Sequence, residues 1–414
     1  MVTSFPLHKI KVVLLENIHP DAVAVFERAG YSVELHTVAY EGEDLLKHAA
    51  DAHILGVRSK SRVRADFIQN APRLWGIGCF CIGTDQVDLS EAAANGVPVF
   101  NAPFSNTRSV AEKTIAEVVI LHRKLAQRSA EMHQGRWQKS AVGVHEIRGR
   151  TLGIVGYGRI GSQVAVLAEA LGMQVLFYDV EEKLVLGNSR RLSSLDELLA
   201  ASDVVTLHVP KENSTRGLIG AAELAKMKQG AFLINNARGT VLDIDALADS
   251  IRSGHLGGAA IDVFPAEPRS SDAPFESPLC GLPNVVLTPH IGGSTAEAQA
   301  NIAESVGSRL VRWMNSGGTQ TAVNVPQVQL PLLHTGCHRI LHYHRNVPGV
   351  LGELHSRIAS FGVNIVAQYL QTDTEHAYAI VDVQTPYGEN AQQDRELKEA
   401  LNAVPETIRV RTLW

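Results

Sequence analysis

Short apolar runs alternate with longer amphipathic segments at the start of the chain. After Lys9, five runs rich in apolar and β-branched residues are separated by segments of helical periodicity, such as Asp21–Arg28 and Leu89–Asn95. Strands that alternate with helices in this way predict a parallel sheet with right-handed crossovers. The five predicted strands lie in the sequences KIKVVLL, YSVEL, AHILGV, LWGIGCF and VPVF.

A second series of strands follows a long helical pattern from Asn106 to about Met132, which predicts one helix of several turns. Several of these strands are continuous apolar runs, as expected where helices cover both faces of a sheet. We therefore predict an α/β protein with two doubly wound parallel-sheet lobes: a flavodoxin-like lobe at 1–104 and 293–326 and a Rossmann lobe at 105–292. The second series comprises TLGIVG, QVLFYD, DVVTLHV, AFLINN, GGAAID and NVVLTPH.

Local signals mark two helix boundaries of these lobes. Ser194 with Glu197, and Ser294 with Glu297, have the spacing of capping boxes, which predicts that a helix starts at each serine. The second of these helices is expected to run to about Met314 and to end at Gly317-Gly318.

The last eighty residues have a different order of elements. At residues 335–414 the pattern predicts strand, helix, strand, strand, helix and strand, which is the ferredoxin-like βαββαβ arrangement. Pro348 is placed to open the first helix. The predicted strands are His338–His344, Asn364–Gln371, Tyr378–Gln384 and Thr407–Leu413, and the predicted helices are Pro348–Phe361 and about Asp394–Ala403.

Composition and charge narrow the class of protein. The chain has 414 residues, of which 45% are hydrophobic and 20% charged, as is typical of globular proteins. A net charge of -5 favours neither nucleic acid nor an anionic membrane as a partner. Without a spanning apolar run or a signal-peptide pattern, a cytoplasmic location is expected. The four scattered cysteines lack the spacing of a metal or redox pair, so no metal site is predicted.

A glycine-rich turn follows the first strand of the second series. Gly156, Gly158 and Gly161 form a GxGxxG motif between an apolar strand and an amphipathic helix, the context in which this motif binds a dinucleotide pyrophosphate. Asp179 ends the next strand, where a carboxylate can accept hydrogen bonds from both ribose hydroxyls and would repel a 2′-phosphate. NAD is therefore predicted as the cofactor; the alternative is a βαβ unit that binds nothing.

Three side chains at strand ends of the second series suit the reduction of a 2-oxo acid. This reaction needs a cation for the carboxylate, an acid for the ketone oxygen and a group that tunes the pKa of that acid. Arg238, His290 and Glu267 are the candidates. Taken singly, each is more often a surface ion pair or a satisfied histidine than a catalytic group.

The sequences LGIVGYGRIG, NNARGTVLD, AAIDVFPAEP and LTPHIGGST resemble motifs of the D-isomer-specific 2-hydroxyacid dehydrogenase family, in the family's order, and the resemblance spans residues 9–316. It implies that Arg238 binds the substrate carboxylate, that His290 exchanges a proton with the substrate oxygen and that Glu267 orients His290. The cofactor contacts that it implies, beside the three glycines of the motif, are at Arg159, Ile160, Asp179, Asn236, Ala237, Asp262, Gly292 and Gly293.

Family members that oxidise 3-phosphoglycerate are similar to this chain in further segments. In those members basic residues at the positions of Arg58 and Lys60 contact the substrate, together with positions matching Gly83, Asn106 and Lys139. If residues 57–64 stay extended, Arg58, Lys60, Arg62 and Arg64 face one way. The segment with Trp137 and Lys139 reaches a neighbouring subunit in the similar enzymes; an exposed tryptophan packed on its own domain is the alternative.

The C-terminal βαββαβ segment resembles the ACT domain, a regulatory module that binds amino acids. In similar enzymes L-serine binds between two such domains, at positions matching His344, Asn346 and Asn364, and four copies form a homotetramer. The resemblance thus implies oxidation of D-3-phosphoglycerate, the first step of serine biosynthesis, with feedback by serine and a possible second reaction on 2-oxoglutarate. The alternatives are a glyoxylate/hydroxypyruvate reductase, a D-lactate dehydrogenase and a non-enzymatic NAD-sensing corepressor.

Overall fold

The computed structural model describes residues 5–268, 273–331, 333, 336–384 and 391–413. The chain divides into two units: Met1–Ser105 with Gln299–Trp414, and Asn106–Ala298. We call them the first and the second unit. The lobe boundaries of the sequence analysis stay predictions, and its end points at residues 1, 335 and 414 lie outside the described residues.

The N-terminal part of the first unit is a parallel five-stranded sheet with the order β2-β1-β3-β4-β5, which is the flavodoxin-like order that was predicted. Every strand pair in it is parallel. Its strands are β1 (Lys11–Leu14), β2 (Ser32–Leu35), β3 (Ile54–Val57), β4 (Gly76–Cys79) and β5 (Val99–Phe100); its helices are α1 (Pro20–Arg28), α2 (Gly42–Ala49), α3 (Ala65–Gln69) and α4 (Leu89–Ala94).

The glycines of β4 allow a long helix to cover this sheet. The helix, α11 (Ala296–Ser316), places Val306 and Leu310 against β4. A Cβ atom on Gly78 would lie 2.7 Å from Leu310 and 2.8 Å from Val306, so a larger residue in this strand would push the helix away. The apolar run LWGIGCF therefore contains a strand in which the close approach of α11 requires glycine.

The second unit has a seven-stranded parallel sheet with the order β12-β11-β10-β9-β6-β7-β8, so the predicted Rossmann arrangement is confirmed. Its strands are β6 (Thr151–Val155), β7 (Gln174–Tyr178), β8 (Arg190–Arg191), β9 (Val204–Leu207), β10 (Phe232–Asn235), β11 (Gly258–Ile261) and β12 (Val285–Leu287). Its helices are α5 (Thr107–Arg123), α6 (Leu125–His133), α7 (Arg159–Ala170), α8 (Leu195–Ala201), α9 (Ala221–Lys226) and α10 (Ile244–Arg252), besides the first turn of α11.

Two local predictions for the second unit were wrong. The helix expected from Asn106 to Met132 is broken at Lys124, which adopts a left-handed conformation with φ 50° and separates α5 from α6. The helix expected to start at Ser294 begins at Ala296, because the hydroxyl of Thr295 accepts the N–H of Ala298 at 3.1 Å. At the other predicted cap, Ser194 does accept the N–H of Glu197.

The C-terminal part of the first unit is an antiparallel four-stranded sheet with the order β14-β15-β13-β16, which confirms the ferredoxin-like prediction. The first helix begins at Val350, two residues after Pro348, because Gly349 is its N-cap with φ 97°. The elements are β13 (Cys337–Arg345), α12 (Val350–Ser360), β14 (Asn364–Thr372), β15 (His376–Gln384), α13 (Ala391–Asn402) and β16 (Thr407–Leu413).

Arginines of the C-terminal sheet attach it to the rest of the first unit. Arg409 donates to the carbonyl of Leu74 at 2.6 Å and lies 4.0 Å over the ring of Trp75, while Arg411 donates to the carbonyl of Met314. Burial lowers the pKa of both guanidinium groups to about 10, so both stay charged at neutral pH. Carbonyl oxygens and indole rings, which are favourable partners for guanidinium groups, hold these charges.

A buried ion pair also joins β13 to β15. Arg339 donates to both carboxylate oxygens of Asp382 at 2.7 Å, and the two side chains are 0% and 1% exposed. We expect Asp382→Asn to lower the free energy of unfolding by about 3 kcal/mol, because it leaves a buried guanidinium without its counter-charge. Urea denaturation would measure the loss.

The exposed pair between Arg357 and Glu353 on α12 is the matched control for this prediction. Glu353→Gln should cost only about 0.5 kcal/mol, because an exposed pair is screened by water. Equal losses for the two variants would contradict the role assigned to the buried pair.

Candidate active site

The glycine-rich turn at the end of β6 has the geometry of a phosphate cradle. Gly156 has φ 92°, and a Cβ atom on it would lie 2.6 Å from the carbonyl oxygen of His208. A Cβ atom on Gly161 would lie 2.3 Å from the carbonyl oxygen of Gly156, so both glycines are required by the chain itself. A Cβ atom on Gly158 would meet no described atom within 4 Å, and no side chain caps α7 there. The N-terminus of α7 thus faces open space, where an anion is favoured.

Asp179 is fixed beside this turn. Its carboxylate accepts the N–H of Tyr157 at 2.7 Å and the N–H of Glu181 at 2.9 Å. The half-buried oxygens keep lone pairs for the two ribose hydroxyls of a dinucleotide. A basic neighbour that the sequence analysis missed is Arg191 on β8, which donates to the carbonyl of Asp179 at 3.0 Å. Only the pairing of β8 with β7 reveals this proximity.

The turn after β10 presents Arg238. The side chain of Asn235 shapes it, because its oxygen accepts the N–H of Ala237 at 3.0 Å and its amide donates to the carbonyl of Arg238 at 3.1 Å. Gly239 is needed because a Cβ atom there would lie 2.0 Å from the carbonyl carbon of Phe264. Sequence reasoning missed Asn235 and Gly239, although both lie within the motif NNARG.

Glu267 and His290 form a direct pair. Nδ1 of His290 lies 2.9 Å and 3.1 Å from the two carboxylate oxygens of Glu267, and one of these oxygens also accepts the N–H of Phe264 at 3.2 Å. The side chain of His290 is 51% exposed, and Nδ1 is the ring nitrogen that Glu267 occupies. The structure thus brings together two of the three predicted catalytic residues through a hydrogen bond.

Asp262 holds the backbone of His290 in a left-handed conformation with φ 55°. The carbonyl of Asp262 accepts the N–H of His290 at 2.8 Å, and its carboxylate accepts the N–H groups of Ile291 at 3.0 Å and Gly292 at 2.8 Å. The hydroxyl of Thr288 also donates to this carboxylate, at 2.5 Å. Because Asp262 is only 1% exposed, these bonds form away from water and fix the turn that carries the histidine.

Electrostatic interactions adjust His290 and Glu267 in opposite directions. The hydrogen bond to Glu267 raises the pKa of His290 above its ordinary value, although burial and the charge of Arg238 act against it. Burial alone would raise the pKa of Glu267, but the hydrogen bond and charge of His290 hold that pKa below its ordinary value. The arrangement favours an imidazolium beside a carboxylate, which suits a group that accepts and returns a proton.

Asn236, a predicted cofactor contact, lies in a buried polar network. Its amide donates to Glu117 at 2.6 Å and to Thr114 at 3.0 Å, and its oxygen accepts from Lys113 at 3.0 Å. The ammonium of Lys113 also lies 3.5 Å from the carboxylate of Asp262. Burial raises the pKa of Glu117. The side chain of Asn236 is thus occupied by protein partners, and its cofactor contact stays a prediction.

The glycine pair after His290 is tightly packed. A Cβ atom on Gly292 would lie 3.1 Å from the carboxylate of Asp262, and one on Gly293 would lie 2.4 Å from the side chain of Asn106. Asn106 is 8% exposed, and its side-chain oxygen has no hydrogen-bond partner among the described residues. A buried polar atom without a partner is costly. This atom fits the predicted substrate contact.

The predicted substrate residues of the first unit are brought together by Gln86. Its amide donates to the carbonyl of Arg58 at 2.6 Å and to the carbonyl of Gly83 at 3.2 Å, which joins the two loops. The basic residues do not form one extended run, because β3 ends at Val57 and the chain bends at residues 59–60. Arg58 is half-buried and Lys60 is exposed.

The predicted residues Trp137 and Lys139 lie in a segment after α6 that has no regular structure. The side chain of Trp137 is 79% exposed, and its contact with a neighbouring subunit stays a prediction. Met132 is 51% exposed and Val142 is 80% exposed in the same region. Met132 and Trp137 line the same cavity, and contiguous exposed apolar surface is a feature of interaction sites.

The predicted effector residues are not all close together in one chain. Asn346 donates to the carbonyl of Asp373 at 2.8 Å, and the buried Nε2 of His344 has no hydrogen-bond partner among the described residues. His344 pairs with Ala377 at one end of β15, whereas Asn364 pairs with Gln384 at the other. Ala377 and Gln384 are seven positions apart along the strand, about 23 Å at about 3.3 Å per residue. Asn364 lies on the edge strand β14.

The described residues contain neither a metal-binding cluster nor a membrane-spanning helix. No group of three or more His, Cys, Asp or Glu side chains there is placed to hold a metal ion. No helix of that part of the chain is long and apolar enough to cross a membrane. Cys79 is buried, and burial raises the pKa of its thiol, as expected for a cysteine that packs as a small apolar residue.

The glycine cradle and the pair of His290 with Glu267 define a dinucleotide-dependent oxidoreductase, and comparison with known proteins agrees. Residues 115–292 match the NAD binding domain of the D-isomer specific 2-hydroxyacid dehydrogenases, which confirms NAD as the predicted cofactor. A protein of Haemophilus influenzae named D-3-phosphoglycerate dehydrogenase is 51% identical over 98% of this chain and 98% of its own length. A protein of Dictyostelium discoideum with the same name is 48% identical over 100% of this chain and 99% of its own length.

A solved structure of a related enzyme is also similar to this chain. D-lactate dehydrogenase from Aquifex aeolicus, determined with NAD and lactic acid, has a TM-score of 0.63 and 29% identity, covering 73% of this chain and 95% of that one. The chain therefore belongs to the D-isomer specific 2-hydroxyacid dehydrogenase family.

The effect of Glu267 on His290 can be tested by Glu267→Gln. Loss of the carboxylate charge lowers the pKa of His290, so the unprotonated imidazole persists to lower pH. For oxidation of the hydroxy acid, the acidic limb of the kcat/KM–pH profile should therefore move to lower pH, with a lower kcat. The control is Glu223→Gln on α9, which should leave the profile in place; a profile unmoved by Glu267→Gln would contradict the coupling.

Proposed function

We propose that this chain oxidises D-3-phosphoglycerate to 3-phosphohydroxypyruvate with NAD, the first step of L-serine biosynthesis. The observation that carries the proposal is the pair of His290 with Glu267 at 2.9 Å, on a turn that Asp262 holds. The relatives of that name match 98% or more of the chain, including its C-terminal sheet.

The side chains suit this reaction step by step. Arg238 binds the substrate carboxylate, because its planar guanidinium can donate two parallel hydrogen bonds. Nδ1 of His290 is occupied by Glu267, so Nε2 accepts the proton of the substrate hydroxyl. Glu267 stabilises the imidazolium that results. In the reverse direction the same Nε2 returns the proton to the ketone oxygen.

The residues of the cradle fit NAD. The pyrophosphate would lie at the N-terminus of α7 beside Gly158, Arg159 and Ile160, and the ribose hydroxyls at Asp179. The turns at Ala237 and Gly292 would border the nicotinamide end. When bound, NAD accepts the hydride that leaves C2 of the substrate. The substrate contacts proposed beside Arg238 are Arg58, Lys60, Gly83, Asn106 and, from a neighbouring subunit, Lys139.

Serine regulation through the C-terminal domain belongs to the same proposal. Buried Nε2 of His344 is a hydrogen-bonding atom without a partner among the described residues, as expected at a ligand site. The separation of Asn364 from His344 along β15 favours a serine site between two copies of the domain. We also propose that the chain is a homotetramer, with the exposed Trp137 region as one of its contacts, and that the site can reduce 2-oxoglutarate.

The activity is tested with purified protein, NADH and 3-phosphohydroxypyruvate. NADH should be oxidised, and His290→Asn should lower kcat/KM by a factor on the order of 10² to 10⁴ while NAD still binds, because only proton transfer is lost. His255→Asn, in the same unit, is the control and should stay active. Turnover only with glyoxylate or pyruvate would favour the reductase or lactate dehydrogenase alternative, and NADH binding without any turnover would favour a sensor.

Serine regulation is tested by Asn346→Ala and Asn364→Ala. Each should raise the serine concentration for half inhibition about tenfold or more, the cost of a hydrogen bond to a charged ligand, with turnover unchanged when serine is absent. Asn402→Ala on α13 is the control. If the site lies between two copies, oligomers that mix the two variants should regain serine sensitivity in part, because one site per pair is intact. Mixtures as insensitive as the single variants would place the site within one copy.

A further inference from the structure

A buried carboxylate contacts the loop at residues 58–61, which follows β3 in the first unit and which we call the basic loop. Glu16 is 8% exposed. One carboxylate oxygen accepts the N–H groups of Arg58 at 3.0 Å and Ser61 at 2.8 Å, and the other accepts the N–H of Lys60 at 2.9 Å. Three backbone groups of one short loop therefore converge on a single side chain.

The backbone of Glu16 is itself held in an unfavourable conformation. Its φ is 61°, a left-handed value that costs a residue with a Cβ atom about 1 kcal/mol. The N–H of Glu16 donates to the carbonyl of Val38 at 3.0 Å, which keeps the chain in this turn after β1. The turn aims the carboxylate at the loop.

Gln86 holds the same loop from the other side. It is 3% exposed, and its amide donates to the carbonyl of Arg58. The N–H and the carbonyl of Arg58 are thus both bonded to buried side chains from other segments. This arrangement fixes the direction in which the side chain of Arg58 leaves the backbone.

The bonds to Glu16 also decide how an anion can be bound. Basic loops often hold phosphate through backbone N–H groups. Here the N–H groups of Arg58, Lys60 and Ser61 point to a carboxylate, so these three groups are not available to an anion, whereas the cationic side chains of the loop are. Two cationic side chains leave this loop: Arg58 is half-buried and Lys60 is exposed.

We propose that Glu16 is a positioning residue that sets Arg58 and Lys60 for the phosphate group of the substrate, with Gln86 as its counterpart on the carbonyl side. The inference rests on the proposed function. It assigns a role to a buried acid that brings a negative charge close to an anion site. The favourable effect of the fixed loop must exceed the repulsion of that charge.

Glu16 has two effects on the KM for 3-phosphoglycerate, the positioning of the loop and the repulsion of an anion. Because they have opposite signs, a substitution can distinguish them. Glu16→Gln keeps the size of the side chain but replaces one acceptor oxygen by a donor that opposes the N–H of Lys60. Loss of positioning raises KM for 3-phosphoglycerate, whereas loss of repulsion alone lowers it. We expect a rise of about tenfold, with kcat within twofold and KM for NAD unchanged, and a similar weakening of competitive inhibition by inorganic phosphate.

Two further variants and a second substrate complete the test. Glu43→Gln, an exposed acid on α2, is the charge-matched control and should change nothing. Gln86→Met removes the hydrogen bond to the carbonyl of Arg58 and should also raise KM for 3-phosphoglycerate. This variant tests the positioning of the loop if Glu16→Gln does not fold. KM for D-glycerate, which has no phosphate, should change less than twofold in either variant.

Each other outcome overturns the inference. A lower KM assigns Glu16 a charge effect only, and an unchanged KM with a lower unfolding midpoint assigns it stability only. Equal rises for phosphoglycerate and glycerate place the effect away from the phosphate. Wild-type protein that does not oxidise 3-phosphoglycerate overturns the proposed function and this inference together, whereas an active wild type with unchanged variants overturns the inference alone.

Discussion

The carboxylate of Asp262 is the constraint on which the candidate site depends. It accepts two backbone N–H groups and a hydroxyl from the turn that carries His290, while the carbonyl of the same residue accepts the N–H of His290. Left-handed backbone in a residue with a Cβ atom persists only where its surroundings determine it. With the turn fixed, the imidazole meets Glu267 through Nδ1, which leaves Nε2 for the proton transfer proposed above.

Much of the fold and part of the site follow from local sequence. Both parallel sheets and the C-terminal sheet could be predicted, because apolar runs, glycine turns and helix periodicity act over a few residues. Arg238, Glu267 and His290 could be proposed since each follows a predicted strand, and carboxyl ends of parallel strands lie at one edge. Lys124 shows where local sequence is insufficient. It lies in a continuous helical pattern, and nothing in that pattern predicts that its backbone is left-handed.

The supporting residues could not be predicted, because their roles depend on distant segments. Glu16 acts on Arg58, forty-two positions away, and Asn236 joins Glu117 across a hundred and nineteen positions. Neither partner is marked by spacing or composition. Asn235 and Gly239 lie inside a recognised motif, yet only the approach of Phe264 explains the glycine.

The two proposed anion sites differ in the groups that they offer to a ligand. At the glycine cradle the helix N-terminus faces open space, so its backbone N–H groups are available to the pyrophosphate that we propose to bind there. At the loop after β3, Glu16 accepts three backbone N–H groups, and in our proposal recognition of the substrate phosphate depends on the side chains of Arg58 and Lys60. A cofactor common to a whole family suits a backbone site, which here needs the glycines of the turn but no particular functional side chain. A substrate that distinguishes one member from another suits side chains, because single substitutions can change them without altering the fold.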